Sequence, residues 1–348
     1  TRYGPSISLS YLLWDFGNRS GSLDAARFAL TAADLANSQT MQDVILQVEQ
    51  DYYQVLGLQA LRDADEQNVK DAQTSLDAAR QRKNSGLATI GDVYQAEAAL
   101  AGAQLALQQT QGNLAVARGQ LAVTAGYGAS SKLTLAPWQP DIAPQLPDQD
   151  IAALLKQARQ ARPALLAAKA REQQAVASLE ATRGKGLPSI SLNANAGRNT
   201  SVLGDTRTSA DSYNAGVTLS VPLFAGFADQ AAEHQAQAAV DVAQATTLQL
   251  QQQVELEVWQ AYQNVHTAAA TLTTTDAQLK SARQAADVTA ARYQSGLGSI
   301  LDTLTAQATL ANARVQQVQA RLNWFAALAA LGHAVGGLTA PPASSESK

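Results

Sequence analysis

The sequence predicts a mainly α protein with a small β part, built from two copies of a unit in which a strand leads into a hairpin of very long helices. Two observations carry this. Residues 9–126 recur at 219–336 with a constant offset of 210 and no gap, pairing Leu9 with Leu219, Val44 with Val254, Tyr52 with Tyr262, Arg82 with Arg292, Gly86 with Gly296, Asp92 with Asp302 and Leu121 with Leu331. Residues 18–84 and 229–294 contain no proline, and a helix over either run would reach roughly 100 Å at 1.5 Å per residue. The period lies far beyond the roughly 20–50 residues of stacked solenoid units. It marks a duplicated half-protein, of the kind that builds pseudo-symmetric membrane assemblies.

The strands follow from alternation. Ile7, Leu9, Tyr11 and Leu13 stand against Ser6, Ser8 and Ser10, and the second copy sets Val217, Leu219, Val221 and Leu223 against Gly216, Thr218 and Ser220, the period of two that gives a strand unlike faces. A third run places Ile190, Leu192, Ala194 and Ala196 opposite Ser191, Asn193 and Asn195. The polar stretch 198–212 that joins it to the second-copy strand reads as the solvated loop of a hairpin.

The long helices pair through a seam. Leu100, Leu107, Leu114 and Leu121 keep a seven-residue spacing, as do Leu272 and Leu279, which favours coiled-coil-like packing. The surface around the seam is mostly Ala and Gln, and small side chains suit close helix approach while Gln and Thr suit a wetted face of little charge. A further helix is expected over about 148–183, interrupted at Arg162-Pro163. Its first-copy counterpart and that of the strand near Ser189 would precede Thr1, so an N-terminal portion, with any signal or lipidation site, is expected ahead of the sequence.

Composition narrows the function. Of 348 residues, 46% are hydrophobic and 5% aromatic, with 25 basic against 29 acidic residues and a net charge of −4. No basic stripe interleaved with aromatics is present, so no nucleic-acid partner is expected. There is no cysteine, which rules out disulfides, thiolate catalysis and iron–sulfur ligation. No apolar run approaches the roughly 20 residues of a membrane helix, so contact with a bilayer would fall to the strands. His234, His266 and His333 stand apart in the sequence, Gly126-Tyr127-Gly128 reads as a turn, and Asp63, Asp65 and Glu66 read as a solvated face. No nucleophile, base and orienting acid assemble, so neither an enzyme nor a cofactor or metal site is expected.

Three segments resemble the TolC family of bacterial outer-membrane efflux and secretion ducts. Leu187-Pro188-Ser189-Ile190-Ser191-Leu192 is similar to the family's strand start, Pro222-Leu223-Phe224-Ala225-Gly226 to its strand-to-helix exit, and residues 293–304, from Tyr293 to Leu304, to its helical tip. The resemblance implies a trimeric α-barrel continued into a 12-stranded membrane β-barrel, to which each chain gives four strands. Three strands are visible, and the fourth would lie ahead of Thr1. Open strand edges are not tolerated in lipid, so oligomerisation is expected on physical grounds as well. On this reading residues 1–126 are the first repeat, 127–187 a collar segment and leading helix that includes Pro137, Pro140, Pro144 and Pro147, 188–336 the second repeat with a membrane hairpin, and 337–348 a disordered tail.

The helical tips concentrate the candidate sites. Thr89-Ile90-Gly91-Asp92 and Ser299-Ile300-Leu301-Asp302 each follow a glycine turn, where the hydroxyl can cap the helix and the acid reach back to the cap amide. Capping accounts for Asp92. Asp302 also matches a family acid at the closed pore entrance, and both readings stand. The family's second entrance acid would fall at Thr305 and a latching arginine at Gly298, so Asp302, Thr305 and Asp92 are the candidate entrance residues of a less negative, differently latched tip. Gly86-Leu87 and Gly296-Leu297 match the motif that meets a periplasmic adaptor, although the glycines alone would serve as helix ends. Leu9, Leu192, Val217 and Leu219 are expected to face outer-membrane lipid. Trp14 and Phe224 sit just past the strands, in an interfacial belt or in core packing.

The sequence therefore points to a passive homotrimeric exit duct of a tripartite efflux pump or type I secretion system, opened when an adaptor links it to an inner-membrane pump. The alternative is a non-channel periplasmic adaptor or coiled-coil interaction protein.

Overall fold

A computed structural model of the chain describes residues 1–135, 150–203 and 205–338. The order of elements is β1 (Arg2–Tyr3), β2 (Ser6–Trp14), α1 (Asn18–Asn84), α2 (Ile90–Thr124), α3 (Ile151–Ala161), α4 (Pro163–Lys185), β3 (Ser189–Leu203), β4 (Thr206–Ser220), α5 (Ala228–Gln294) and α6 (Ile300–Ala334). The bounds of α1 and α5, and those of α2 and α6, differ by 210 at both ends. The duplication is thus kept to the residue in the backbone. The collar prolines and positions 339–348 lie outside the described residues.

Two compact units divide the chain. The first comprises Thr1–Ser38 and Pro163–Gln253 and holds the sheet. Within it the start of α1 meets α4 through glycine. A Cβ at Gly21 would fall 2.7 Å from the Ala181 backbone nitrogen, and Asn18 Nδ2 donates to the Ala181 carbonyl at 2.8 Å. The second unit comprises Gln39–Arg162 and the described residues from Val254 onward. The leucine seam forms its core: Leu114 and Leu121 pack with Val55 and Ala117, Leu272 with Ala320 and Trp324, and Leu279 against Ala282, Ala286, Leu310 and Ala313. Arg162 adopts extended backbone between α3 and α4, as the residue before a proline is driven to do.

The sheet is antiparallel, with β3 at its centre, β1 and β2 along one side and β4 along the other. One register runs through the interruption at Gly4-Pro5, from Arg2 opposite Ser201 to Leu12 opposite Ser191, with a bulge before Trp14. β1 and β2 therefore act as one broken strand. Two expectations are corrected here. Residues 198–203 and 206–212 are ladder rather than loop, since β3 and β4 stay paired to Leu203 opposite Thr206. Polar residues hold this stretch through cross-strand contacts: Arg198 pairs with Asp211 at 2.6 Å and Thr200 bonds to Ser209 at 3.1 Å, as such facing pairs do in sheets.

The second correction concerns the barrels. The described residues form a single open four-stranded sheet, not a closed 12-stranded barrel, and no closed α-barrel is formed. β2 and β4 each have a partner on one side only, because one chain offers too few strands to pair every edge. Among the described residues no helix is long and apolar enough to cross a membrane. The mainly α composition with a small β part holds.

Candidate functional site

Each helical hairpin ends in the same five-residue turn. After α1, Gly86 takes φ 73°, its N–H bonds to the Lys83 carbonyl at 3.0 Å, and the Leu87 N–H reaches the Arg82 carbonyl at 2.8 Å. After α5, Gly296 takes φ 84°, with bonds to Tyr293 at 3.1 Å and from Leu297 to Arg292 at 2.9 Å. This is the Schellman arrangement, which needs a residue free to adopt the left-handed region. It throws the next side chain outward. Leu87 and Leu297 are 68% and 73% exposed, a costly placement for leucine that leaves two equivalent apolar points on the surface.

The helices that follow begin with reciprocal caps. The Asp92 N–H donates to Thr89 Oγ1 at 3.3 Å while the Thr89 N–H donates to Asp92 Oδ2 at 3.2 Å. Ser299 and Asp302 repeat the arrangement at 3.1 and 3.4 Å. Both aspartates are therefore caps, Asp92 half-buried and Asp302 exposed. They differ in surroundings. Asp302 and Thr305 line one shallow groove of about 510 Å³ together with Thr289, Arg292, Gly298 and Leu301, so the entrance candidates of the second repeat share a surface.

Asp92 instead lies within electrostatic reach of Tyr293. Tyr293, on α5, is 4% exposed and packs with Leu76 and Ala79 of α1, Val93 and Ala96 of α2 and Ile300 of α6, so all four long helices meet there. Burial pushes the Tyr293 hydroxyl above its usual range, Asp92 adds to the rise, and Arg82 opposes it. Arg82 lies across the same junction. Its Nη1 donates to the Tyr293 carbonyl at 2.6 Å and to the Gln294 carbonyl at 3.4 Å, its Nη2 reaches the Leu87 carbonyl at 3.4 Å, and its guanidinium sits 4.9 Å from the Tyr293 ring centre. Sequence reasoning gave Arg82 and Tyr293 no role. The signal available was the pairing of Arg82 with Arg292 in the duplication.

In the first unit, pairing brings the expected lipid-facing residues onto one face. Leu9 lies opposite Ala194, Leu192 between Tyr11 and Val217, and Leu219 opposite Ile190. Leu9, Val217 and Leu219 are 58%, 65% and 62% exposed. The reverse face is polar and internally bonded: Ser10 Oγ donates to Asn193 Oδ1 at 3.0 Å, and Asn193 Nδ2 donates to Ser191 and Thr218 hydroxyls, each at 3.2 Å. Trp14 and Phe224 are exposed, which sets core packing within the chain aside.

One other assignment changes, and one residue gains partners. Asp65 is 4% exposed and accepts from the Thr110 hydroxyl at 2.7 Å, so it bridges α1 to α2, while Asp63 and Glu66 are exposed as expected. His333 meets Asp43 at 2.7 Å, and Arg162 donates to the His333 carbonyl at 2.7 Å and to Glu257 at 3.0 Å. Sequence distance had hidden that cluster.

A family model described as outer membrane efflux protein matches residues 1–127 and 154–337. Protein CyaE of Bordetella pertussis is 34% identical over 337 residues, covering 94% of this chain and 70% of its own length. Outer membrane efflux protein BepC of Brucella suis is 26% identical, with 96% of this chain and 72% of the relative covered. The crystal structure of the outer membrane protein VceC from Vibrio cholerae superposes with a TM-score of 0.82 at 23% identity, covering 97% of this chain and 80% of that one, a likeness of fold.

Proposed function

From the premise that this chain belongs to the outer membrane efflux protein family and acts as an outer-membrane efflux or secretion channel, we propose that it is a passive exit duct made of three copies, opened at its helical tips by a periplasmic adaptor joined to an inner-membrane pump. The observation that carries this is the pair of equivalent tips, each presenting an exposed leucine beside a left-handed glycine. Apolar points of this kind are where a partner gains most by covering surface. The alternative of a non-channel adaptor or coiled-coil protein falls with the family assignment.

The apolar face of the sheet, with Leu9, Leu192, Val217 and Leu219, is the lipid contact. The unpaired edges of β2 and β4 give copies a reason to associate, since an exposed strand edge is intolerable in lipid. The helices support the same conclusion. Within one chain a Cβ at Gly57 would overlap Leu322, so α1 receives α6 there. At the positions 210 away the sides are reversed, with Thr267 on α5 and Gly112 on α2, and a Cβ at Gly112 would meet nothing within 4 Å. A second copy's α5 fits that open place.

Passage needs no chemistry from the chain. Asp302 and Thr305 line the entrance, and the adaptor opens it by binding the open arrangement more tightly than the closed one, the only way a ligand shifts such an equilibrium. The molar mass of the complete protein in detergent, measured by light scattering, tests the assembly. Three chains are expected, and a monodisperse single chain overturns the reading.

A further inference from the structure

Arg82 occupies the gap between the two tip turns of one chain, and the duplication shows an equivalent place left open. The carbonyls that Arg82 holds, those of Tyr293 and Gln294, correspond at the 210 offset to Lys83 and Asn84. The guanidinium also lies against Gly296, where an added Cβ would stand 3.6 Å from Nη1 and 3.7 Å from Nη2. The counterpart, Gly86, has nothing within 4 Å of such a Cβ. The counterpart of Arg82 is Arg292, which is exposed and whose Nη2 bonds to the Leu297 carbonyl of its own turn at 3.4 Å. That bond repeats the one Arg82 makes to Leu87. Arg292 thus keeps the local contact of the pair and lacks the one that crosses between hairpins.

We propose that Arg82 and Arg292 are two versions of one clasp, Arg82 closing the junction between the tips of a single chain and Arg292 closing the junction between copies by donating to the Lys83 and Asn84 carbonyls of a second copy, beside Gly86. The proposal rests on the association of copies argued above and names the residue that regulates the entrance. The chemistry of recognition is that of a helix C-terminus: its last carbonyls lack partners within the helix and carry partial negative charge, which a forked guanidinium satisfies with two donors. The two clasps are unequal. Tyr293 offers Arg82 a ring face as well as a carbonyl, and cation–π contact strengthens that clasp, whereas the equivalent residue, Lys83, has no ring and is itself a cation. The junction between copies is therefore the weaker one, and the entrance opens there first. Both clasps abut the glycine–leucine turns assigned to the adaptor, so an adaptor seated on those turns bears directly on them.

These 348 residues contain no cysteine, so the pairs are introduced without a competing thiol among them, and the complete protein without either pair is the control. In the complete protein in detergent, Arg292→Cys with Asn84→Cys treated with a short bismaleimide should give covalent dimers and trimers, while Arg82→Cys with Gln294→Cys should react without any rise in mass. If the first pair stays monomeric while the second reacts and light scattering of the unmodified protein gives three chains, the clasp between copies is wrong and the assembly stands. If the unmodified protein is a single chain, the assembly fails and the clasp with it. A functional readout completes the test. In planar bilayers Arg292→Ala should raise the resting conductance at least twofold, with Arg292→Lys between the two, for variants whose native mass is unchanged. Equal resting conductance in all three proteins overturns the gating role.

Discussion

Phe16 and Phe227 both hold left-handed backbone, at φ 50° and 65°, and each stands at the repeat position where the other copy has glycine, Gly226 for Phe16 and Gly17 for Phe227. The two glycines are left-handed as well, at φ 64° and 100°. Each passage from strand to long helix therefore uses two consecutive left-handed residues, and the repeats differ only in which one bears the ring. The geometry belongs to the turn rather than to the residue type. A bulky side chain there costs about 1–2 kcal/mol, and each ring has an edge-on aromatic neighbour, Trp14 at 6.1 Å for Phe16 and Phe224 at 5.4 Å for Phe227.

Phe16→Gly should thus be close to neutral, since relief of about 1–2 kcal/mol offsets a lost aromatic contact worth about 0.5–1.5 kcal/mol. Gly17→Ala places a second side chain in the left-handed region and should destabilise by about 1–2 kcal/mol. Urea unfolding of the two variants would show the difference, and equal effects would contradict the account of the turn.

Arg in place of Leu9, Leu192, Val217 or Leu219 should cost about 2–4 kcal/mol if these side chains lie at mid-membrane depth. Arg in place of Ser8 or Asn214, on the polar face of the same strands, should be mild. Folding into lipid vesicles measures both, and equal tolerance of the two faces would remove the lipid-facing assignment.

The fold was legible where local signals and the duplication agreed. Missing proline, the glycine turns and the hydroxyl–acid pairs marked α1, α2, α5 and α6 because helix ends are set by nearby residues. The ladder over 198–203 and 206–212 was not legible, since Thr, Ser and Asn read as loop until a facing strand gives them partners such as Asp211 for Arg198. Asp65 was misread for a related reason, and the Asp43 partner of His333 went unseen: Thr110 and Asp43 are distant in sequence from the residues they meet. The tip turns could be read as helix ends, but the bridge from Arg82 to Tyr293 required knowing which hairpins touch.

Asp302→Asn should lower the preference of the resting channel for cations, because Asp302 lines a groove with Thr305 and a ring of such acids focuses negative potential. Asp92→Asn should leave ion preference unchanged and raise amide exchange in the first turn of α2, where its carboxylate holds the Thr89 N–H. Reversal potentials in a salt gradient measure the first effect. An unchanged preference in Asp302→Asn would leave that aspartate only its capping role.

Joint replacement of Leu87 and Leu297 by Ser should abolish export in cells while the protein still assembles at its native mass. Both side chains are exposed in the chain, so the fold has little to lose. Loss of assembly, or full export, would remove these leucines from the adaptor contact.

The central claim is a passive, water-filled path through the outer membrane. Reconstituted in a planar lipid bilayer with no pump, adaptor or nucleotide, the complete protein should give unitary current steps, linear in voltage, whose conductance rises in proportion to electrolyte concentration. Protein shown by flotation to be inserted in lipid that carries no such current would contradict it.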